Sequence, residues 1–162
     1  MKKFLFVFCM LLAAVSYGQT MPDFDLIKLE KNSDYKAAEP FALQTAVYLL
    51  STPVEKKKDN RLKSLQFLVK WMSGTPDHSF VLDDATAKIT RDNTDLFGLY
   101  VAGLVKYSVN NKSNTRDPKV VKLNAVISIL DYCENPANNV KLTKQLKKLS
   151  EARAKGELEK EL

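Results

Sequence analysis

Between Asp59 and Gly74 the apolar residues Leu62, Leu65, Leu68, Val69 and Met72 recur every three or four positions, with Arg61, Lys63 and Lys70 in the gaps. Such spacing draws one apolar stripe along a helix of 3.6 residues per turn, and a strand cannot hold it on one face. Helix punctuation brackets the segment. Asp59 offers a cap, Gly74 follows the last turn and Pro76 stands beyond it, the usual stop order, with Gly74 expected in a left-handed conformation.

The combination returns along the chain. Residues 39–51 carry Phe41, Leu43, Val47, Tyr48, Leu49 and Leu50 around most of the circumference, predicting a buried helix that Thr52-Pro53 stops. Leu82, Ala85 and Ile89 predict a shorter helix over 82–91, with Asp83 and Asp84 at its positive end. Asn93, Thr94 and Asp95 cap another over 96–109, which carries Gly98, Ala102 and Gly103. Asp117-Pro118 opens the next as cap and first residue; its stripe is Val120, Leu123, Val126, Ile127 and Leu130, and Asn135-Pro136 closes it. The last, over 138–155, turns Leu142, Leu146 and Leu149 inward and Lys141, Lys144, Lys147, Lys148 and Arg153 outward. The expected fold is therefore all-α: a six-helix bundle or helical-repeat-like domain over 38–156. Residues 19–37 form an N-terminal arm or short helix, with Phe24, Ile27 and Leu29 packing on the domain. The charged tail 157–162 is expected to fray.

The first 18 residues read as a signal peptide. Met1-Lys2-Lys3 is a positive start, Phe4 to Val15 an apolar run, and Ser16 and Gly18 the small residues a signal peptidase requires. The run is too short to span a bilayer, so no transmembrane segment is expected after cleavage. Periplasmic or secreted localisation follows. The terminal Glu159-Lys160-Glu161-Leu162 resembles an endoplasmic-reticulum retention signal, but the Met-Lys-Lys start is bacterial in type.

Of the 162 residues, 144 would remain after cleavage, enough to bury a core without staples. Losing Lys2 and Lys3 lowers the formal charge from +6 to +4, no nucleic-acid signature. Cys9 leaves with the leader and Cys133 remains alone, expected as a small buried hydrophobe rather than a disulfide partner.

The chain also reads as two halves. With an offset of 56, Phe41-Ala42-Leu43 falls on Phe97-Gly98-Leu99, and Ala46 on Ala102. With 58, Asp59 falls on Asp117 and the two stripes coincide. With 60, Pro76 falls on Pro136, Leu82 on Leu142 and Ile89 on Leu149. The pairs Ala42/Ala46 and Gly98/Ala102 each lie on one helix face, so the 39–51 and 96–109 helices are expected to cross there as the central pair. The helices after each would then pack together outside it, giving two three-helix halves.

Chemistry-bearing residues are sparse. His78, the single histidine, lies in the loop Gly74 to Phe80 near Asp83 and Asp84. A general base needs an oriented partner and a pocket, and a zinc site three or four ligands, so a capping or surface role is the plainer expectation. Trp71, the single tryptophan, borders the same loop and is expected at the core edge. If a small binding site exists, Trp71, Asp77, His78 and Phe80 are its candidates, and the basic face of the last helix comes second. No catalytic residue, metal site or cofactor-binding motif is identified; glycine-rich phosphate loops and nucleophile elbows are missing from the sequence.

Three stretches, Arg61-Leu62-Lys63-Ser64-Leu65-Gln66-Phe67-Leu68, Trp71-Met72-Ser73-Gly74-Thr75-Pro76-Asp77 and Tyr132-Cys133-Glu134-Asn135-Pro136, resemble uncharacterised exported all-helical proteins of bacteria. The resemblance implies no activity. The leading expectation is a non-catalytic exported protein that binds an unidentified protein or envelope component through helical surfaces. The alternatives are an enzyme or enzyme accessory using the His78 loop, or a carrier of an apolar ligand between the 39–51 and 96–109 helices.

Overall fold

The computed structural model describes residues 21–54, 58–91, 93–114 and 117–162, all of them helix, turn or loop with no strand. The expected leader, 1–18, lies outside these residues. Seven α-helices follow in order: α1 (Asn32–Ala37), α2 (Glu39–Ser51), α3 (Lys58–Gly74), α4 (Asp84–Thr90), α5 (Thr94–Asn110), α6 (Pro118–Glu134) and α7 (Lys144–Ala154). The all-α bundle expected from periodicity is the fold observed.

Local chemistry sets most boundaries. Asn93 caps α5 through the Leu96 N–H, and Asp117 caps α6 through Lys119, with Pro118 as first residue. Asp83 caps α4, so that helix starts two residues later than its apolar pattern suggests. Thr143 caps α7, which leaves Val140, Lys141 and Leu142 in the approach to the helix rather than inside it. A proline-led 3-10 turn, Pro136–Asn138, occupies the expected helix start.

Helix α5 is apolar nearly all round because it is the centre of the molecule. Val101, Ala102 and Val105 face a cluster built from α2 and α3, including Leu49, Leu68 and Trp71. Leu96, Leu99, Tyr100 and Leu104 face a second cluster with α4, α6 and α7, including Ile89, Ile129, Leu130, Leu146 and Leu149. Helices α2 and α5 do pack together, and Ala42, Ala46 and Ala102 are fully buried. The tightest approach, however, is between α5 and α6. A Cβ placed on Gly103 would lie 2.9 Å from the Ala125 Cα and 3.0 Å from its carbonyl oxygen. On Gly98 it would meet only Leu65 Cδ2, at 3.9 Å. Close backbone contact thus requires glycine at 103, not at the 98/102 pair singled out by spacing.

The two halves correspond only in part. Helix α2 packs on α5 and α4 on α7, each an equivalent pair. The connecting loops agree too: a buried polar residue, His78 or Asn138, follows two positions after Pro76 or Pro136, and the next helix begins on a side-chain cap. But α4 packs on α5 and α7 rather than on α3. Asp59 sits in the first turn of α3, whereas Asp117 is a true cap.

Other expectations change with packing. The buried residues of α3 are Arg61, Ser64, Leu65, Phe67, Leu68 and Trp71, while Leu62 and Val69 face outward at 48% and 42% exposure. Arg61 is drawn inward because carbonyls at the end of α2 lie over it: its Nη1 donates to Leu49 O at 3.0 Å and to Thr52 O at 2.7 Å, the latter shared with Tyr132 Oη–H. Gly74 takes an ordinary helical conformation, Gly156 being the glycine with positive φ. A Cβ at 74 would have to displace the Tyr35 ring, whose far end lies where it would be. The arm makes a 3-10 turn, Phe24–Leu26, and Phe24 stacks on Phe67 at 4.6 Å between centroids. The tail does not fray: a 3-10 turn, Leu158–Glu161, buries Leu158, and Glu161 pairs with Lys148.

Candidate functional site

The residues proposed around the 74–80 loop converge, but below the surface. Trp71 lies in the last turns of α3, fully buried, deeper than the core-edge position its spacing suggests. Its Nε1–H donates to Tyr35 O at 2.9 Å, which satisfies the indole and ties α3 to α1. The ring centroids of Trp71 and Phe80 stand 5.6 Å and 6.1 Å from that of His78. The loop therefore folds back on the end of α3 with His78 turned inward, its side chain only 1% exposed. This replaces the surface or capping role expected of it. Asp77 remains outside, 3.2 Å from Lys36 Nζ.

His78 reaches Glu39, the first residue of α2. Its Nε2 lies 2.7 Å from Glu39 Oε2, and Lys112 Nζ lies 2.6 Å from Glu39 Oε1. One carboxylate thus joins the 74–80 loop, the start of α2 and the turn after α5. Burial opposes its ionisation, but hydrogen bonds and charge from Lys112 and His78 outweigh it and hold the Glu39 carboxyl below the usual range. The other ring nitrogen of His78, Nδ1, is buried without a hydrogen-bond partner. A general base needs a nitrogen that substrate can approach. Here one nitrogen is taken by Glu39 and the other is enclosed, so the arrangement works as an internal clasp. Asp83, the carboxylate expected beside His78, instead pairs with Lys122 of α6. Among the described residues no group of three His, Cys, Asp or Glu side chains could hold a metal ion.

The accessible features lie elsewhere. Between the N-terminal arm and the start of α2 runs an open groove of about 460 Å³, lined by Pro22, Leu26, Ile27, Ala37, Ala38 and Phe41 together with the charged residues Asp23, Lys28 and Asp34. Leu26 is 80% exposed at the tip of its 3-10 turn, and Phe41 is 42% exposed on α2. A second, smaller hollow joins Val69 of α3 to Leu82, over Met72 and Phe80. Sequence pattern missed the first groove because it depends on how the arm lies against α2. A helix apolar all round gives no sign that Phe41 is the residue left uncovered.

The rest of the surface gives little chemistry. Cys133 is buried, and burial pushes its thiol up to about 11, which removes the reactive thiolate. On α7, Lys148 pairs with Glu161, and Arg153 with Asp131 and Glu134, so its basic face is partly neutralised. No described helix is long and apolar enough to cross a membrane. No protein-family model matches the chain, no curated protein matches it in sequence, and no solved structure matches it in fold.

Proposed function

We propose that this is a non-catalytic, exported helical protein of the bacterial envelope that binds an apolar segment of another envelope protein in the groove between its N-terminal arm and α2. The observation that carries this reading is that Leu26 and Phe41, both exposed, line one groove of about 460 Å³. That volume falls within the usual range for ligand sites. Fully burying a side chain of this size contributes about 1.5–3 kcal/mol, of which Leu26, 80% exposed, has most still to gain and Phe41, 42% exposed, less than half; an aromatic anchor in a central pocket is the usual energetic focus of an interface. Export rests on the Met-Lys-Lys start, the apolar run Phe4 to Val15 and the small residues Ser16 and Gly18.

The alternatives have less support. A hydrolytic or acid–base role for the 74–80 loop requires His78 to meet substrate, and its ring is enclosed against Glu39, Trp71 and Phe80. A carrier of apolar ligands between α2 and α5 needs space there, and Ala42, Ala46, Leu49, Val101, Ala102 and Val105 fill it.

Native mass spectrometry of the protein released from its own envelope tests the proposal. The mature mass should begin at Gln19, with a discrete partner bound, and Leu26→Asp should lose that partner while leaving the fold intact. A partner retained by Leu26→Asp, or wild-type protein running without one, refutes the groove. A species that keeps Phe4 to Val15 refutes the processing.

A further inference from the structure

Helix α3 packs on α1, α2 and α5 through its buried side. On the side it turns to solvent, Leu62 and Val69 stay nearly half exposed. Seven residues apart in the sequence, they lie within about 20° of each other and draw one apolar line along the helix. The loop beyond α3 widens that line, because half-exposed Leu82 borders the same hollow as Val69 and Met72. A second line, of charge, runs about 80° further round. It holds Asp59 in the first turn and Lys70 eleven residues on, both exposed.

Single apolar residues on a surface are ordinary; the symmetry of these two lines is not. The pair Leu62 and Val69 and the pair Asp59 and Lys70 are both centred within one residue of Leu65. One two-fold axis crossing α3 near Leu65 therefore lays Leu62 on Val69, and Asp59 on Lys70, of a second copy whose α3 runs antiparallel. Each contact then occurs twice, as an isologous interface requires. The same axis brings Leu82 of each copy toward Leu62 and Leu65 of the other. A parallel pairing would set the apolar line against the charged one. Within one chain Asp59 and Lys70 stand about 16 Å apart along the helix axis, too far to pair, so their complementarity is realised only between copies.

We propose that the solvent face of α3 is the contact surface of a symmetric homodimer, antiparallel about Leu65. The contact is one helix face, about 25 Å by 10 Å, at the small end of specific interfaces, and the association is accordingly of about micromolar strength. The surface is separate from the groove between the arm and α2, and the dimer does not depend on what that groove binds.

Sedimentation equilibrium of the exported chain over about 1–500 μM tests this. The wild type should pass from monomer to dimer within that range. Val69→Asp should remain a monomer, whereas Leu26→Asp, in the arm groove, should dimerise as the wild type does. Asp59→Lys opposes like charges twice over and should weaken the dimer about tenfold. Adding Lys70→Asp to it should restore association, a recovery that damage to the fold cannot imitate. A wild type monomeric throughout overturns the proposal, whether the face is then bare or kept for a different protein. Dimers that survive Val69→Asp, or are lost in Leu26→Asp, place the contact elsewhere and overturn it too. No recovery in the doubly exchanged chain overturns the antiparallel two-fold.

Discussion

Glycines 98 and 103 read alike in the sequence, as small residues of the same helix, yet the structure gives opposite outcomes for replacing them. Alanine gains about 0.8–1.0 kcal/mol of helix propensity over glycine at an interior position. At Gly98 that gain stands almost alone, since the new methyl meets one Leu65 carbon at 3.9 Å, an ordinary contact. At Gly103 the methyl would meet the backbone of α6 at 2.9 and 3.0 Å, and Ser128 Cβ at 3.2 Å. Backbone cannot rotate aside, so α5 and α6 must separate, and overpacking of this kind costs about 1–3 kcal/mol. Gly98→Ala should therefore stabilise by up to about 1 kcal/mol, with Gly103→Ala about 1–3 kcal/mol below it. Trp71, the single tryptophan and fully buried, reports unfolding in urea. Equal shifts of the midpoint in the two variants, with unchanged slope, would refute the claim that α5 and α6 make the tightest contact.

Gly74→Ala should destabilise by displacing the Tyr35 ring, which breaks the Tyr35 Oη–H bond to Leu29 O at 3.2 Å; the penalty should shrink in a Tyr35→Ala background, measured by urea unfolding. The Glu39 carboxyl is held below its usual value by Lys112 and His78 against the effect of burial. Its stabilising contribution is thus complete above the unfolded carboxyl range and fades as pH falls through the lower folded value. Glu39→Gln should flatten the acid limb of a stability–pH profile, and an unchanged limb would show that the clasp contributes nothing. Cys133, with its thiol pushed up to about 11, should resist iodoacetamide at neutral pH until the protein unfolds, as followed by intact mass.

The sequence was sufficient for the helical class, for the caps Asn93 and Asp117, for the order of the six helical segments and for a buried Cys133, because these depend on neighbours within a turn or two. It could not rank faces when a helix has partners on several sides. Periodicity placed Leu62 and Val69 inward and Arg61 outward; the ends of α2 and α5 reversed that, because the carbonyls of Leu49 and of the capping residue Thr52, and the carboxylate of Asp95, give the guanidinium partners inside. The same holds for His78. Its loop position read as surface until Glu39, thirty-nine residues away, supplied a carboxylate and Trp71 a ring to pack on. The candidate groove was illegible for a related reason: it is the space left by how the folded arm lies against α2, which no local pattern records. Local preference determines which segments are helices, since its hydrogen bonds close within four residues. Which polar group is buried, and which glycine is indispensable, is decided by atoms that only the assembled fold brings within a few ångströms.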